Sequence, residues 1–409
     1  MGRFAVLRFG FMGCGNYHHH LSLVCPLDWS VYENLELPFD IYEAVGCGSC
    51  GGLLFLQGSK GTMVICNLTT QQMKVLHPPN FEPPPHVGKL RASCLGYDAT
   101  SKDYKVIRNY FQFYHGEADE EGRESYLGCK SHFDLYSFKC GSWRDIPTPD
   151  ACIMGSMGVY VGETGCCYWT ACLESSFGGL KDHPFRLHVL SFDFATESFG
   201  HFPLPAPTTG KCEDVGFGCT LVECYGSLGA LVSWRPDGYR SSSPLSIELF
   251  VRKGMSWNML YVVSLAHVKD IAGLVDNNLL ILEVKHSSRS GQLMVYDLQT
   301  GNSKKLSIYD YPRHMSFHSY VESKDLLPDS KPITMIPYVE STDPLPITSE
   351  SEEETEGLSW LKSFWRMGGH LTWKVSKAAY IEGVEESLID LKKNGYEMHT
   401  WTNYPIWFV

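Results

Sequence analysis

A polar turn recurs along this chain, each time inside an apolar frame. Five segments carry it: VICNLTTQQMKVLHPP, FDLYSFKCGSWRDIP, LSFDFATESFGHFPLP, IELFVRKGMSWNMLYVV and LMVYDLQTGNSKKLSIY. The turns are centred on Thr70, Cys140, Thr196, Gly254 and Thr300, at intervals of 70, 56, 58 and 46 residues. A bulky side chain follows the first four turns three positions later, at Met73, Trp143, Phe199 and Trp257, whereas the fifth has Ser303. Intervals near 50 residues indicate a repeated structural unit, stretched by loop insertions.

Each of these turns is preceded by a second hairpin signal, a pair of short apolar or alternating runs separated by turn-forming residues. The preceding turns are expected at Gly58–Gly61, Asp98–Lys102, Gly162–Gly165, Tyr225–Ser227 and Asp276–Asn278. Two hairpins make four strands, which is one propeller blade. The sequence therefore predicts an all-β, kelch-like β-propeller of about five to six four-stranded blades. The sixth blade would combine the N-terminal 44 residues with 314–327, which removes exposed sheet edges by joining both ends of the ring.

The repeat defines the expected domain organisation. We assign 1–44 to an N-terminal segment, 45–327 to the propeller, 328–357 to a disordered acidic linker and 358–409 to a short mixed C-terminal tail. The linker contains SESEEETEG and is rich in Pro, Ser and Thr, a composition typical of disorder. The tail carries Trp360, Trp365, Trp373, Trp401 and Trp407, and 384–393 has the pattern of one amphipathic helix.

Charge and cysteine usage restrict the function classes. The net charge is −12 and the pI about 5.7, which argues against general nucleic-acid binding. The chain has no apolar run of transmembrane length and no clear secretion signal, so no membrane association is expected. The 15 cysteines are scattered, as expected for reduced thiols. We therefore expect a cytoplasmic or nuclear protein, or one found in both compartments.

The glycine-rich stretch VGCGSCGGLLFLQG, residues 45–58, admits several interpretations. A phosphate loop would need Gly-Lys-Ser/Thr ahead of a helix, and neither is present. Cys47 and Cys50 have zinc-ligand spacing but lack a second Cys-x-x-Cys pair. A redox dithiol would need a βαβ context. The remaining interpretation is a tight strand entry followed by a buried strand. No cofactor and no metal are predicted.

Six ordered segments within about residues 45–327 resemble the plant F-box-associated (kelch-like) interaction domain family. GSCGGLLFL and VICNLTTQQMKVLHPP resemble its first unit, and LGYDATSKDYKVIR is very similar to its G-Y-D-x-x-x-x-D-Y-K-V signature. FDLYSFKCGSWRDI, VLSFDFATESFGHFPLP and FVRKGMSWNMLYVV resemble later segments in the family's order, as does YVESKDLL. Gly51 and the Asn67-Leu68 pair depart from the usual Asn and Asn-Pro.

The resemblance implies a protein-binding module that recruits a target protein to a cullin-type ubiquitin ligase. Such proteins begin with an F-box that binds a Skp-type adaptor. Residues 1–44 lack its L-P-x-D opening and its L-P-x-K-S-L segment, so adaptor and cullin are expected partners only where an F-box is present in the full gene product. The alternatives are a propeller that binds its target without ligase delivery, and a propeller enzyme. No catalytic motif is present, and we predict a protein without enzymatic activity.

Two loops that break the repeat are the predicted binding sites, because Trp, Tyr and Arg are common interface anchors. The first is Asn109–Lys130, with Tyr110, Phe113 and Tyr114 ahead of an acidic run. The second is Ser233–Ser243, with Trp234, Arg235, Tyr239 and Arg240. In contrast, Asp134, Asp193 and Asp297 are expected to form turn hydrogen bonds, and Trp143, Phe199 and Trp257 to pack between blades.

Overall fold

Antiparallel strands are the only regular secondary structure among the described residues. The computed structural model describes residues 3–13, 16–25, 28–35, 44–58, 62–76, 87–118, 124–153, 158–173, 187–207, 217–235, 243–285, 291–310, 316–321, 324, 327, 329–332 and 335–337. Within these residues there are 27 strands and no helix. Alternating apolar residues between short turns explain this composition, because each strand buries one or both of its faces between neighbouring sheets.

The strands form six sheets, which we number as blades in chain order. Blade 1 contains β1 (Arg3–Gly13), β2 (Asn16–Val24), β3 (Val31–Leu35), β25 (Ser316–Val321) and β27 (Met335–Pro337). Blade 2 contains β4 (Ala44–Cys50), β5 (Leu53–Gly58), β6 (Met63–Asn67), β7 (Gln72–Leu76) and β26 (Lys331–Pro332). Blade 3 contains β8 (Val87–Asp98), β9 (Asp103–Ala118), β10 (Glu124–Ser137) and β11 (Ser142–Ile146).

The other three blades come from the second half of the chain. Blade 4 contains β12 (Ala151–Ile153), β13 (Val159–Val161), β14 (Cys166–Leu173), β15 (Leu187–Asp193) and β16 (Ser198–Pro203). Blade 5 contains β17 (Phe217–Cys224), β18 (Ser227–Trp234), β19 (Leu245–Lys253) and β20 (Ser256–Leu265). Blade 6 contains β21 (Val268–Val275), β22 (Leu279–Lys285), β23 (Gly291–Asp297) and β24 (Ser303–Asp310). The predicted all-β propeller is confirmed.

Contacts between the innermost strands close the ring. They run from β25 to β4, β8, β13, β17 and β21, and from β21 back to β25. Blade 1 combines three N-terminal strands with β25, as the sequence predicts for the sixth blade. Its strands β1–β3 lie before residue 45. The ring therefore includes strands on both sides of the domain boundary expected there.

The five turns that define the repeat are the turns between the third and fourth strands of blades 2 to 6. In three of them an Asx side chain fixes the turn, because its oxygen accepts two backbone N–H groups. Asn67 Oδ1 accepts from Thr69 at 2.9 Å and Thr70 at 3.2 Å. Asp193 and Asp297 repeat this pattern, with first bonds of 2.8 Å to Ala195 and Gln299. The turn roles expected for these two aspartates are confirmed.

The glycine-rich stretch is a β-hairpin. Residues 44–50 form β4, and Gly51 and Gly52 form its turn with φ of 55° and 81°, a conformation that favours glycine. Gly58–Gly61 contributes to the connection between β5 and β6, not to the first hairpin of the blade. Cys50 is buried, and burial raises the pKa of its thiol.

The recurring aromatic residues pack between blades, as expected. Phe199 lies 4.8 Å from Phe133 between ring centroids, which joins blade 4 to blade 3. The indole of Trp257 donates to Pro203 O at 3.0 Å and so joins blade 5 to blade 4. Trp143 packs in the cluster shared by blades 2 and 3. These contacts join blades 2 to 5, because the repeat places one aromatic side chain on the fourth strand of each of blades 3, 4 and 5.

The chain beyond β25 adds strands to two outer edges. β26 pairs with β7 of blade 2, and β27 pairs with β3 of blade 1. These strands fall in the predicted linker of 328–357, whose remaining residues from 338 lie outside the described residues. The chain divides into one unit of residues 1–338 with 409 and a second of 339–408. The second unit, including the tail with its expected helix, also lies outside them.

Candidate functional site

Both predicted binding loops leave the ring from the same face. Each blade alternates strand direction, so connections between its second and third strands all lie at one end of the ring. We call this end the loop face and the opposite end the turn face. The β9–β10 connection and the β18–β19 connection are both of this type. The topology therefore combines two loops that are more than 100 residues apart in the sequence on one surface.

The β9–β10 hairpin projects beyond its own sheet. The partner strand β8 begins at Val87, opposite Gln112 of β9. Beyond Gln112, β9 pairs only with β10 among the described residues, from Phe113 opposite Cys129 to Ala118 opposite Glu124. Phe113 and Tyr114 thus lie in a two-stranded arm on the loop face. The connection between β9 and β10, residues 119–123, lies outside the described residues; its sequence contains Asp119, Glu120 and Glu121.

Tyr110 lies in the part of β9 that is still paired with β8. It is not the exposed binding residue that the sequence predicted. It packs against the core cluster between blades 2 and 3. The Arg108 guanidinium lies 4.6 Å from the Tyr110 ring and 4.1 Å from the Trp143 ring. Burial raises the pKa of Tyr110 to about 12. Tyr110 therefore supports the base of the arm rather than its binding surface.

An ion pair that the sequence did not reveal anchors the same region. Arg108 Nε and Nη2 donate to Asp134 Oδ2 at 2.9 and 2.6 Å. Burial raises the pKa of Asp134, although the Arg108 charge opposes that shift. Asp134 was expected to form a turn, but it lies within β10 and pairs across to β9. This pair joins β9 to β10 inside the four-stranded sheet, where β9 is also paired with β8 through Arg108 and Ser93.

The second predicted loop divides into a buried base and a tip outside the described residues. Arg235 is buried and donates to Ser243 O at 2.6 Å, Val268 O at 2.5 Å and Lys269 O at 3.2 Å. These bonds correct the expected interface role, because the guanidinium closes the loop base and ties it to blade 6. Trp234 is half-buried. Tyr239 and Arg240 fall in 236–242, outside the described residues.

The G-Y-D-x-x-x-x-D-Y-K-V segment forms a joint between blades 3 and 4. Asp98 Oδ1 accepts the backbone N–H groups of Thr100 at 2.9 Å and Ser101 at 3.1 Å. Lys105 Nζ donates to Asp98 Oδ2 at 2.8 Å and to Phe194 O at 3.0 Å. A Cβ at Gly96 would lie 2.0 Å from the Phe194 ring. The residues that carry the family resemblance here are therefore structural.

The sequence also contains a surface that the repeat interpretation overlooked. Large apolar side chains are exposed on β20 and beside it, at Met255, Met259, Leu260, Val262 and Tyr225. The sequence feature that could have revealed this surface is the run MLYVV, residues 259–263. A half-buried edge strand would alternate between polar and apolar residues, and this run does not.

The described residues contain no group of three His, Cys, Asp or Glu side chains placed to hold a metal ion. Within them, no helix is long and apolar enough to cross a membrane. The loop face carries the projecting arm and the buried base of a second loop. This arrangement is suited to protein recognition.

The comparison with family models agrees with the fold. The model of the F-box associated beta propeller domain matches residues 19–323. The match begins within β2 and ends just after β25, so it includes strands of blade 1 from both parts of the chain.

Curated relatives come from Arabidopsis thaliana. The F-box protein CPR1 is 26% identical over 299 residues, covering 68% of this chain and 66% of that protein. An F-box/kelch-repeat protein is 29% identical over 224 residues, covering 52% of this chain and 51% of its own length. A further F-box protein is 25% identical over 177 residues, or 42% of each chain. The chain thus spans from about two fifths to just under two thirds of these relatives.

Solved structures resemble the chain distantly. An oligogalacturonate lyase in complex with manganese has a TM-score of 0.39 at 12% identity, covering 74% of this chain and 78% of that chain. A protein from Lactobacillus plantarum has a TM-score of 0.35 at 10% identity, covering 77% and 99%. Similarity at this level has no bearing on activity.

Proposed function

The chain belongs to the F-box associated beta propeller domain family, and on that premise we propose that it is a target-binding receptor whose loop face captures a protein. The observation that carries this proposal is the projecting β9–β10 arm, which lies on the same face as the β18–β19 loop. Loops on a rigid scaffold are a common location for binding residues. Phe113 and Tyr114 in the arm, and Tyr239 and Arg240 in the second loop, are the proposed contacts.

Binding rather than catalysis accounts best for the described groups. Three of the cationic side chains buried in blades 3 to 5 have structural partners: Lys105 bonds Asp98, Arg108 bonds Asp134, and Arg235 bonds backbone carbonyls. The curated relatives are named as F-box proteins, which supports a receptor role in ubiquitination. The captured protein would then be delivered through a Skp-type adaptor and a cullin, in the cytoplasm or the nucleus.

The second candidate is capture without delivery, since β1, β2 and β3, which make up most of the described residues between 3 and 35, belong to blade 1 and not to an adaptor-binding helical bundle. We expect residues 1–409 alone to retain a Skp-type adaptor weakly or not at all. A grafted F-box should restore adaptor binding, provided that it is placed ahead of Met1. An F-box that replaced residues 1–45 would remove β1–β3 and so disrupt blade 1.

Site-specific photo-crosslinking tests the binding face. A benzophenone amino acid is placed at Tyr114 or Tyr239 on the loop face, and at Thr196 or Thr300 as turn-face controls, which are exposed. In an extract of the source organism, we expect both loop-face positions to crosslink one common protein and the controls to miss it. Crosslinks to a protein from the turn-face positions alone would contradict the proposal. Crosslinks to different proteins from the two loop-face positions would also contradict it.

A further inference from the structure

We propose that the outer edge of blade 5 is a second docking site, which binds an extended apolar peptide with acidic flanks by adding it as a strand beside β20. This site is separate from the loop face and goes beyond target capture there. Its partner is a peptide segment of that chemistry in another protein.

Five of the six outer edges are protected against strand addition, each in a recognisable way. The edges of blades 1 and 2 are covered by β27 and β26. The edge of blade 3 exposes Arg144 and Asp145, and that of blade 6 exposes Lys304 and Lys305. The blade 4 strand β16 has only six residues and ends at Pro203. Covering, charge, shortness and proline are the usual means of blunting an edge.

Within the residues that the structure describes, the edge of blade 5 has none of these features. β20 is 10 residues long, and residues 254–266 contain no charged side chain. Its exposed apolar side chains include Met259 at 46%, Leu260 at 37% and Val262 at 54% relative exposure. Met255, in the turn before β20, is 90% exposed. A long, apolar and uncharged edge is a template for an added strand, and β26 and β27 show that edges of this ring accept one.

A pocket beside this edge provides a place for an anchoring side chain. It has a volume of about 370 Å³ and is lined by Tyr225, Ser227, Val251, Lys253, Leu260 and Tyr261. The β19–β20 register shifts between Leu249 and Phe250, which makes Leu260 the bulged residue opposite them. The bulge re-aims side chains and leaves Leu260 on the pocket. The straight segment Tyr261–Leu265 that follows is available for backbone pairing.

Tyr225 is held over the pocket in a costly conformation. Its φ is 52° and that of Gly226 is 69°, values for which glycine or asparagine is favoured over a bulky residue. The backbone N–H of Tyr225 donates to Asn277 Oδ1 at 2.6 Å, which fixes the turn against blade 6. Half of the side chain remains exposed. An exposed aromatic residue held in a strained turn is typical of a binding site.

Charge favours a peptide over a second copy of the chain. Lys253 is exposed at the start of the edge and lines the pocket, and within the described residues it forms no ion pair. A second copy pairing through β20 would offer Lys253 no acidic partner, because residues 254–267 contain no Asp or Glu. An acidic residue at the peptide end would instead pair with Lys253.

The test uses a defined probe and the full chain. The probe is a fluorescein-labelled peptide of alternating valine and threonine with a glutamate at each end, measured by fluorescence anisotropy. We expect saturable binding that Val262→Lys weakens at least about tenfold, because a charge on the edge blocks strand addition. The matched control Ser303→Lys, on the exposed edge of blade 6, should bind as the unaltered chain does. Lys253→Glu should prefer a version of the peptide with lysine ends.

Three results would overturn the proposal: no saturable binding, equal affinity for Val262→Lys and the unaltered chain, or equal affinity for a peptide methylated on alternate backbone nitrogens. Sedimentation velocity checks the self-association alternative. A concentration-dependent dimer that Val262→Lys abolishes would assign the edge to a second copy of this chain. All three substitutions are at exposed positions, and unchanged far-UV circular dichroism shows that each variant keeps the fold.

Discussion

A chain ended at residue 315 should fail to form the ring, because it loses β25. This strand pairs with β1 from Arg8 opposite Ser316 to Arg3 opposite Val321. It also contacts both neighbouring innermost strands, β21 and β4. Without it, blade 1 has no inner strand, and β1 presents an unpaired edge where the two ends of the ring meet. Unpaired edges of this kind lead to aggregation.

The matched control is a chain ended at residue 338, which retains every strand that the structure describes. We expect the chain ended at 338 to be monomeric in size-exclusion chromatography, with a strand-type circular dichroism spectrum and one cooperative unfolding transition. The chain ended at 315 should aggregate or lack that transition. A monomeric, cooperatively folded 1–315 chain would show that blade 1 does not close the ring.

The substitution Lys105→Met should lower the free energy of unfolding by about 3 to 5 kcal/mol, which is the usual cost of removing one partner from a buried ion pair. Lys105 is buried and bonds Asp98, Phe194 O and Glu197. Its removal leaves the buried Asp98 carboxylate without its Lys105 partner. It also removes the hydrogen bond from Lys105 in blade 3 to Phe194 O in blade 4. Equilibrium unfolding in urea measures the loss.

Arg144→Met is the matched control, since Arg144 pairs with Glu197 of the same network from an exposed position. An exposed ion pair contributes only about 0.2–1 kcal/mol, so this variant should remain close to the unaltered chain. If the two variants lost equal stability, the buried joint would not have the importance that we assign to it.

The same joint predicts the direction of the acid response. Burial acts to raise the pKa of Asp98, but the bonds from Lys105 and from Ser101 outweigh it, and the pKa lies below its ordinary value. The carboxylate thus stabilises the fold above its unfolded pKa, near 4, and this contribution is lost as the pH falls below that value. In the Lys105→Met variant, the free energy of unfolding should fall less on acidification than it does in the unaltered chain.

The local pattern in the sequence was sufficient to predict the blades, because each turn is fixed by residues only two or three positions apart. Asp193 and Asp297 bond the N–H groups of the residues that follow them. The sixth blade was predictable from topology, since a ring needs both chain ends to close. The first hairpin of blade 2 was misplaced because Gly58–Gly61 gives a turn signal as strong as that of Gly51–Gly52.

The burial of individual loop residues could not be predicted in this way. Arg235 has the composition of an interface anchor, yet the carbonyls that it bonds belong partly to blade 6, more than 30 residues away in the sequence. Tyr110 and Phe113 lie on the same strand, β9, and the position at which β8 begins decides how far the sheet pairs along that strand. Exposure of β20 likewise depends on which blade edges the chain covers elsewhere.

The most direct measurement follows the fate of the protein that crosslinks to Tyr114 and Tyr239. The full chain, with an F-box fused ahead of Met1, is expressed in cells of the source organism, and the half-life of that protein is measured after synthesis is blocked. The fused chain should shorten the half-life, whereas the same fusion carrying Phe113→Ala and Tyr114→Ala should leave it unchanged. An equally short half-life with both fusions, or no shortening with either, would contradict capture at the loop face.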